Sequence, residues 1–395
     1  MDAIGVIIFV VALLVSVMLH ETGHFVLAKK FGMKVTRYFV GFGPTIWSTW
    51  RGETEYGIKA LPFGGFVKIV GMHSLDDPED PEDEPRAFRS HPAWQRILVL
   101  FAGSAMHFIL AILLVFGLAL GVGIANDNTT QLGTISSCVP VSVSAYDNGS
   151  CTGSHMASPA ELAGLQVGDV VTAFDGHPVS NFNQLTDLIR PLPAGTPVTI
   201  TVRRDGKLVD LHTKLASVQG RSGSYLGVAP AVVFQVASPL SAIKYSGTTF
   251  GQVIVGSAQG IAALPGALPK LFSPNRSSTA VVGVVGAAEA TGTEVASNQG
   301  WQYKVSFVLL LIASLNIFVG AFNLLPLLPL DGGHIAVIIY ERIRAWLARL
   351  RGRPDPGLAN IAKFLPVSFS LFLIVIFVSL LLVLADIVNP VNIVG

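Results

Sequence analysis

Four stretches of this chain, at about residues 5–28, 97–125, 305–328 and 367–388, stay apolar for at least the roughly 20 residues a helix needs to cross a hydrocarbon core. Lipid offers the backbone no hydrogen-bond partners, so a stretch of this kind is confined to a helix that satisfies its own amides. Composition points the same way: 51% of the residues are hydrophobic, 13% are charged and the mean hydropathy is +0.59. A soluble domain carries about 25% charged residues, which excludes a purely cytosolic globule, and a chain this apolar is not intrinsically disordered. The 26 basic and 25 acidic residues leave a net charge of +1, so there is no basic field for nucleic acid. The expected fold is a polytopic α-helical membrane protein with four transmembrane helices.

The first apolar stretch lacks a basic leading segment and a small-x-small cleavage site and is too long for the core of a signal peptide, so it reads as a retained helix. Ten Lys and Arg residues lie between the first and second stretches and six between the third and fourth. The other ten are spread over the long segment between the second and third. Basic residues gather on the cytoplasmic side. The expected topology therefore places the first and third loops in the cytoplasm, and both termini and the long segment outside the cell membrane.

The segments follow from this division. Residues 1–31 form the first span, 32–93 a cytoplasmic loop and 94–126 the second span. Residues 127–230 alternate short β-rich runs with Gly and Asp turns and one helical stretch, which predicts a compact α+β domain. Residues 231–303 are small, apolar and broken by Gly and Pro; their first half reads as an amphipathic helix on the outer leaflet, or the segment reads as a tether. The third span covers 304–340, a basic cytoplasmic loop 341–364, and the fourth span with the outer C-terminus 365–395. The only cysteines, Cys138 and Cys151, both fall in the outer segment, where they form a disulfide or remain two small apolar side chains. Seven carboxylates crowd the nine residues 76–84 and read as a solvated loop.

Chemistry concentrates in the first span, which contains His20-Glu21-Thr22-Gly23-His24. Histidines at i and i+4 share one helix face and reach one metal ion, while Glu21 beside them is placed to take a proton from an attacking water. Ionisable groups inside a membrane are costly and point to function. A catalytic zinc site takes three protein ligands, and no third His or Glu follows on this helix. Asp331 is the only acidic residue between Glu294 and Glu341, which makes it the best remaining candidate. At 1.5 Å per residue, His24 and His20 lie roughly 8 and 14 Å inside the cytoplasmic boundary marked by Lys29, and Asp331 about 16 Å inside that marked by Arg342. Pro326, Pro329 and Gly332-Gly333 break the helix beside it, and irregular backbone at that depth is tolerated where it lines a cavity.

The HExxH in the first helix, the Asn323-x-x-Pro326-x-x-x-Leu330-Asp331-Gly332 segment in a late one, and the α+β insert between them resemble the site-2 protease family of intramembrane zinc metalloproteases. Gly64-Gly65-Phe66-Val67-Lys68 resembles that family's glycine-rich, membrane-associated β-hairpin, whose other reading is an ordinary cytoplasmic turn. Ser158-Pro159-Ala160 through Ala163-Gly164-Leu165 and Gly168-Asp169-Val170 resemble a bacterial PDZ domain. The four-span plan, single PDZ-like module and cysteine pair look most like actinobacterial members that process anti-sigma factors. The resemblance implies one Zn2+ held by His20, His24 and Asp331, with Glu21 as the catalytic base. It implies substrate contacts at Gly64, Gly65 and Phe66, and membrane-protein substrates such as anti-sigma factors already cut once by another protease. Asn323 reads either as a substrate-binding group or as a cap for backbone freed by Pro326. The PDZ-like module docks a peptide, excludes intact ectodomains, or serves as scaffold.

The second span departs from the family's glycine-proline-x-x-asparagine pattern, reading Gly103-Ser104-Ala105-Met106-His107. His107 is read as a helix-contact residue in preference to a fourth ligand, and His334 as a neighbour of the site. Two other functions stay in view, a catalytically inactive PDZ adaptor and a metal transporter. The transporter wants acidic relays and repeat symmetry, which these helices lack.

Overall fold

The computed structural model describes residues 3–72, 80–141, 156–220, 222–272, 283–357, 359 and 365–389. The chain divides into two compact units, residues 1–121 with 237–395, and residues 122–236.

The larger unit is helical. Among the described residues four helices are long and apolar enough to cross a membrane: α1 (Ala3–Lys30), α2 (Ala93–Gly121), α5 (Trp301–Asn323) and, as Ser368–Val388, most of α7 (Leu365–Val388). Between α2 and α5 lie α3 (Pro239–Ala267) and α4 (Val284–Ala296); α6 (Asp331–Leu350) follows α5 after a break. The buried residues of α1 include Phe9, Ser16, His20, Gly23, His24 and Ala28, a stripe at three- and four-residue spacing that faces the other helices. Two glycines set how closely α1 and α2 approach. A Cβ on Gly23 would strike the Ala102 backbone, and one on Gly103 would lie 2.5 Å from His24 Nε2. Small residues at such crossings let helix backbones come together. Further along, Ala111 and Val115 of α2 pack with Ala313 and Ile317 of α5, covered by Tyr245, Phe250, Val253 and Ile254 of α3.

A long antiparallel hairpin, β1 (Val35–Arg51) with β2 (Thr54–Ile69), follows α1. It bends in both strands, so the stretch around 37–40 pairs with Gly65–Lys68 on one side and with Glu55–Ile58 on the other, while Trp47–Arg51 pairs with Thr54–Ile58. Among the described residues this leaves the Gly65–Ile69 stretch as a sheet edge. A cluster of Ala28, Met33, Val35, Ile69, Phe88, Val99, Leu100 and Ile338 locks the sheet to α1, α2 and α6. The acidic run is partly described. Asp83 pairs with Lys34, and Glu84 with Arg89 at 2.6 Å, so these carboxylates are engaged instead of free in solvent; residues 73–79 lie outside the described set.

The smaller unit is α+β. β3 (Ile124–Asn126) pairs with β10 (Val233–Gln235), and β4 (Leu132–Ile135) with β9 (Val228–Pro230). β5 (Val170–Phe174), β6 (His177–Pro178), β7 (Pro197–Arg204) and β8 (Lys207–Lys214) form one antiparallel sheet in the order β6-β5-β7-β8. Its core joins Val198, Ile200 and Val202, alternate residues of β7, to Phe174, Leu132 and Leu185. Cys138 is buried here; Cys151, the other half of the expected disulfide, lies outside the described residues.

Candidate active site

Helix geometry puts His20 and His24 one turn apart on the buried stripe of α1, and their Nε2 atoms lie 3.0 Å from each other. The ring of His24 is oriented by its far side, where Nδ1 donates to the Val99 carbonyl of α2 at 2.8 Å. This bond leaves the Nε2 lone pair facing inward. Asp331 arrives from the opposite end of the sequence. Its Oδ2 stands 3.3 Å from His20 Nε2 and 3.4 Å from His24 Nε2. The three side chains thus offer one donor atom each, all within 4.8 Å of one another.

The break between α5 and α6 delivers that carboxylate. After Asn323 the chain turns through residues 324–330, where the Leu330 N–H donates to the Leu327 carbonyl at 2.9 Å and the Gly333 N–H to Leu330 at 3.0 Å. Gly332 and Gly333 lie so tightly against this turn that side chains there would overlap the backbone of Leu324, Leu325 and Leu327. Two glycines let α6 begin directly under the turn, with Asp331 as its first residue.

The sheet edge approaches α1 by a similar device. Gly64 has φ +99, a conformation that favours glycine. A Cβ on Gly65 would meet Met18 Sδ at 2.8 Å and come within 3.7 Å of Glu21 Cγ. Thr22 Oγ1, 2.8 Å from Tyr38 Oη, ties the same turn of helix to β1. The strand that follows Gly64 therefore runs past Glu21. Phe66 stacks on Phe39, with centroids 5.6 Å apart and planes 6° from parallel. Asn323 closes α5 and is half-buried, but it is not one of the three clustered groups.

His107, read from the sequence as a helix-contact residue, is one, but its partners were not legible from spacing. His107 sits with its ring centroid 5.1 Å from that of His20, and its Nδ1 is 2.8 Å from Asn316 Oδ1. The Asn316 amide donates to Ser16 Oγ at 3.0 Å and to the Ile312 carbonyl at 2.8 Å. With both amide protons given away, Asn316 Oδ1 accepts from His107 Nδ1–H. This chain of bonds crosses α1, α2 and α5 one turn from His20. His107 lies outside the three-residue cluster, and Gly103 is the residue whose missing side chain leaves room for the two imidazoles.

The family model for "Peptidase family M50" matches residues 8–353. The chain belongs to this family. Relatives match from end to end. The zinc metalloprotease Rip1 of Mycolicibacterium smegmatis is 38% identical over 100% of this chain and 99% of its own length. Rip1 of Mycobacterium tuberculosis is 38% identical over 98% of each. A solved PDZ domain of an SdrC-like protein from Listeria monocytogenes is 18% identical, covers 27% of this chain and 92% of that domain, and has a TM-score of 0.19.

This M50 chain is a membrane zinc metalloprotease of the site-2 protease type, and the cluster can be tested against the ion. Asp331 Oδ2 is buried without a hydrogen-bond partner, and two imidazole nitrogens face it at 3.3 and 3.4 Å, too long for strong hydrogen bonds. A buried acceptor left open in this way calls for a cation. Two imidazoles and a carboxylate are also a donor set that catalytic zinc takes. The residues fit the ion.

Proposed function

We propose that this protein cleaves the transmembrane segments of single-pass membrane proteins inside the bilayer, with anti-sigma factors as the substrate class, after a first protease has removed the outer domain. The observation that carries this reading is the meeting of Asp331 with His20 and His24 beside Glu21 and a sheet edge, the last three side chains lying on a helix apolar enough to sit in lipid. The basic residues of the first and third loops support a site near the cytoplasmic leaflet, with both termini and the PDZ-like residues 127–230 outside. In that compartment Cys138 and Cys151 would form a disulfide.

His20, His24 and Asp331 would hold the zinc ion, which when bound polarises the scissile carbonyl as a Lewis acid. Glu21 accepts a proton from the water that attacks this carbonyl and passes it to the leaving amine, so the C–N bond breaks as an acid and an amine form. A substrate helix has its amides paired internally and must unwind before it can be cut. The edge that starts at Gly65 is suited to re-pair the freed N–H and C=O groups, and Gly64 keeps the approach open. Asn323 binds substrate backbone or the developing oxyanion. The PDZ-like module docks the trimmed stub or sterically excludes intact ectodomains.

Glu21→Gln tests the reading with a tagged single-pass substrate in the membrane. Loss of the base lowers cleavage by about 10²–10⁴-fold with zinc content unchanged. An inactive adaptor or a transporter would keep its function in this variant, and full cleavage would remove the protease assignment from Glu21.

A further inference from the structure

We propose that the exposed face of α6 is a docking surface for the headgroups of anionic phospholipids, which holds the helix that begins with Asp331. The proposal rests on reading the chain as membrane-embedded, but its test does not depend on proteolysis. α6 is not among the helices apolar enough to span a bilayer, yet it is not an ordinary water-facing helix. Ile339, Ile343, Trp346 and Leu350, spaced by four, three and four residues, are 46%, 51%, 59% and 66% exposed. At 100° per residue these four lie on one stripe. The buried residues Ile338, Glu341 and Ala345 lie on the opposite side, and α6 packs on α2.

Charge is sorted between the two faces. The segment 342–353 contains five arginines and no carboxylate. Arg342 and Arg349 are exposed and share one border of the apolar stripe, two turns apart. Arg344, on the other border, donates to the carbonyls of Pro356 and Gly357 at 2.9 Å, with its guanidinium 5.8 Å from the Tyr340 ring centroid. Glu341, the one acid between Asp331 and Asp355, is turned inward, where it accepts the Ala359 N–H at 2.8 Å and faces Arg96 at 3.5 Å. The outer face is therefore apolar in the middle and cationic along its margins, and the helix itself contributes no carboxylate to it.

A solvated face would not display three large aliphatic residues and a tryptophan in line, and a face buried in acyl chains would not be bordered by arginines. A surface at the headgroup level satisfies both. Trp is favoured at that level, Arg extends its head toward phosphate, and each basic residue near an anionic leaflet adds roughly fivefold in affinity. The consequence reaches the active site. α6 has 20 residues and so is about 30 Å long. Fixing its far half at the lipid surface fixes where its first residue meets His20 and His24.

The full-length protein in nanodiscs tests this through Trp346, isolated as the difference between wild type and Trp346→Phe. Brominated phosphatidylglycerol should quench this component at least twofold more than brominated phosphatidylcholine at equal mole fraction. Raising salt to about 0.5 M should shrink that preference in the wild type. Arg342→Glu with Arg349→Glu should abolish it, and the paired Lys substitutions should keep it. Equal quenching by the two lipids, or quenching by neither, overturns the proposal; Glu21→Gln protein should behave as wild type throughout, which separates this result from the fate of the protease reading.

Discussion

Two aspartates with buried oxygens, one in each unit, show how differently a carboxylate can be held, although the Asp331 side chain as a whole remains 14% exposed. Asp169, in the smaller unit, is 2% exposed and its oxygens are engaged. Arg204 grips it through Nε at 2.8 Å and Nη2 at 2.7 Å, and the Gln166 N–H adds a third bond at 2.9 Å. Burial alone would raise its pKa, but the Arg204 guanidinium and the Gln166 amide outweigh that and hold it below the ordinary carboxylate range. Asp331, in the larger unit, has an oxygen facing two imidazole nitrogens without a conventional hydrogen bond. A structural acid closes its lone pairs with fixed donors; a ligand keeps them open for an ion. Burial is common to both, so burial does not separate the two roles. Satisfaction does.

The largest effect that sharpens this contrast is expected at Asp331. Asp331→Ala removes one of the three proposed ligand donors, and cleavage of a single-pass substrate should fall by about 10³-fold or more, together with loss of bound zinc. The fold should tolerate it, because no protein donor is stranded when an open acceptor is removed. Metal analysis and a thermal melt of the metal-free protein check both halves. A large drop in melting temperature of the metal-free form would make Asp331 a structural acid after all, and the contrast with Asp169 would fail.

Asp169→Ala should show the reverse pattern. It strands the Arg204 guanidinium and the Gln166 amide, and removing one partner of a hydrogen-bonded charge pair costs about 2–3 kcal/mol when the other stays partly in water. Arg204 is 25% exposed in its side chain, which keeps the figure below that of a fully buried pair. Protease resistance of the smaller unit should fall while zinc content stays at one per chain. Unchanged resistance would show that three good hydrogen bonds here add little to stability.

The same contrast explains how much could be read from the chain. His20 and His24 were legible because a helix converts a four-residue spacing into a shared face, and Asp331 because an acid in an apolar stretch stands out. The four long apolar helices followed from length and hydropathy. The doubled sheet was not legible: the pairing of the stretch around 37–40 on both sides depends on bends in both strands, not on alternation of apolar residues. Asn316 and Ser16 are 300 residues apart, and nothing local marks either as a partner of the other. Gly103 was visible only as the glycine that opens the second-span pattern; the room it makes for the imidazoles is an absent side chain and was not legible. The extension of α6 to Leu350 was hidden by its arginines, which in the sequence look like a loop and in the structure border an apolar stripe.

A third acid, Glu53 at the tip of the hairpin, tests the comparison at its weak end. Arg86 donates to both of its oxygens at 2.7 Å, and Lys29 at the end of α1 donates at 2.6 Å. The Arg86 bonds are the main reason its pKa is lowered to about 2; partial burial opposes them and Lys29 reinforces them. A carboxylate whose folded pKa is depressed adds stability that is complete above its ordinary value of 4.5 and disappears as pH falls through the folded value. The hairpin tip should therefore loosen between about pH 4.5 and pH 2, read as faster amide exchange around Arg51–Thr54, and Glu53→Gln should flatten that dependence. The side chain is 29% exposed, so solvent screening limits the effect to about 1 kcal/mol or less. Glu53 is satisfied as fully as Asp169 but sits nearer water. If its removal destabilised the protein as much as Asp169→Ala, the number of donors would matter more than the depth at which they are placed.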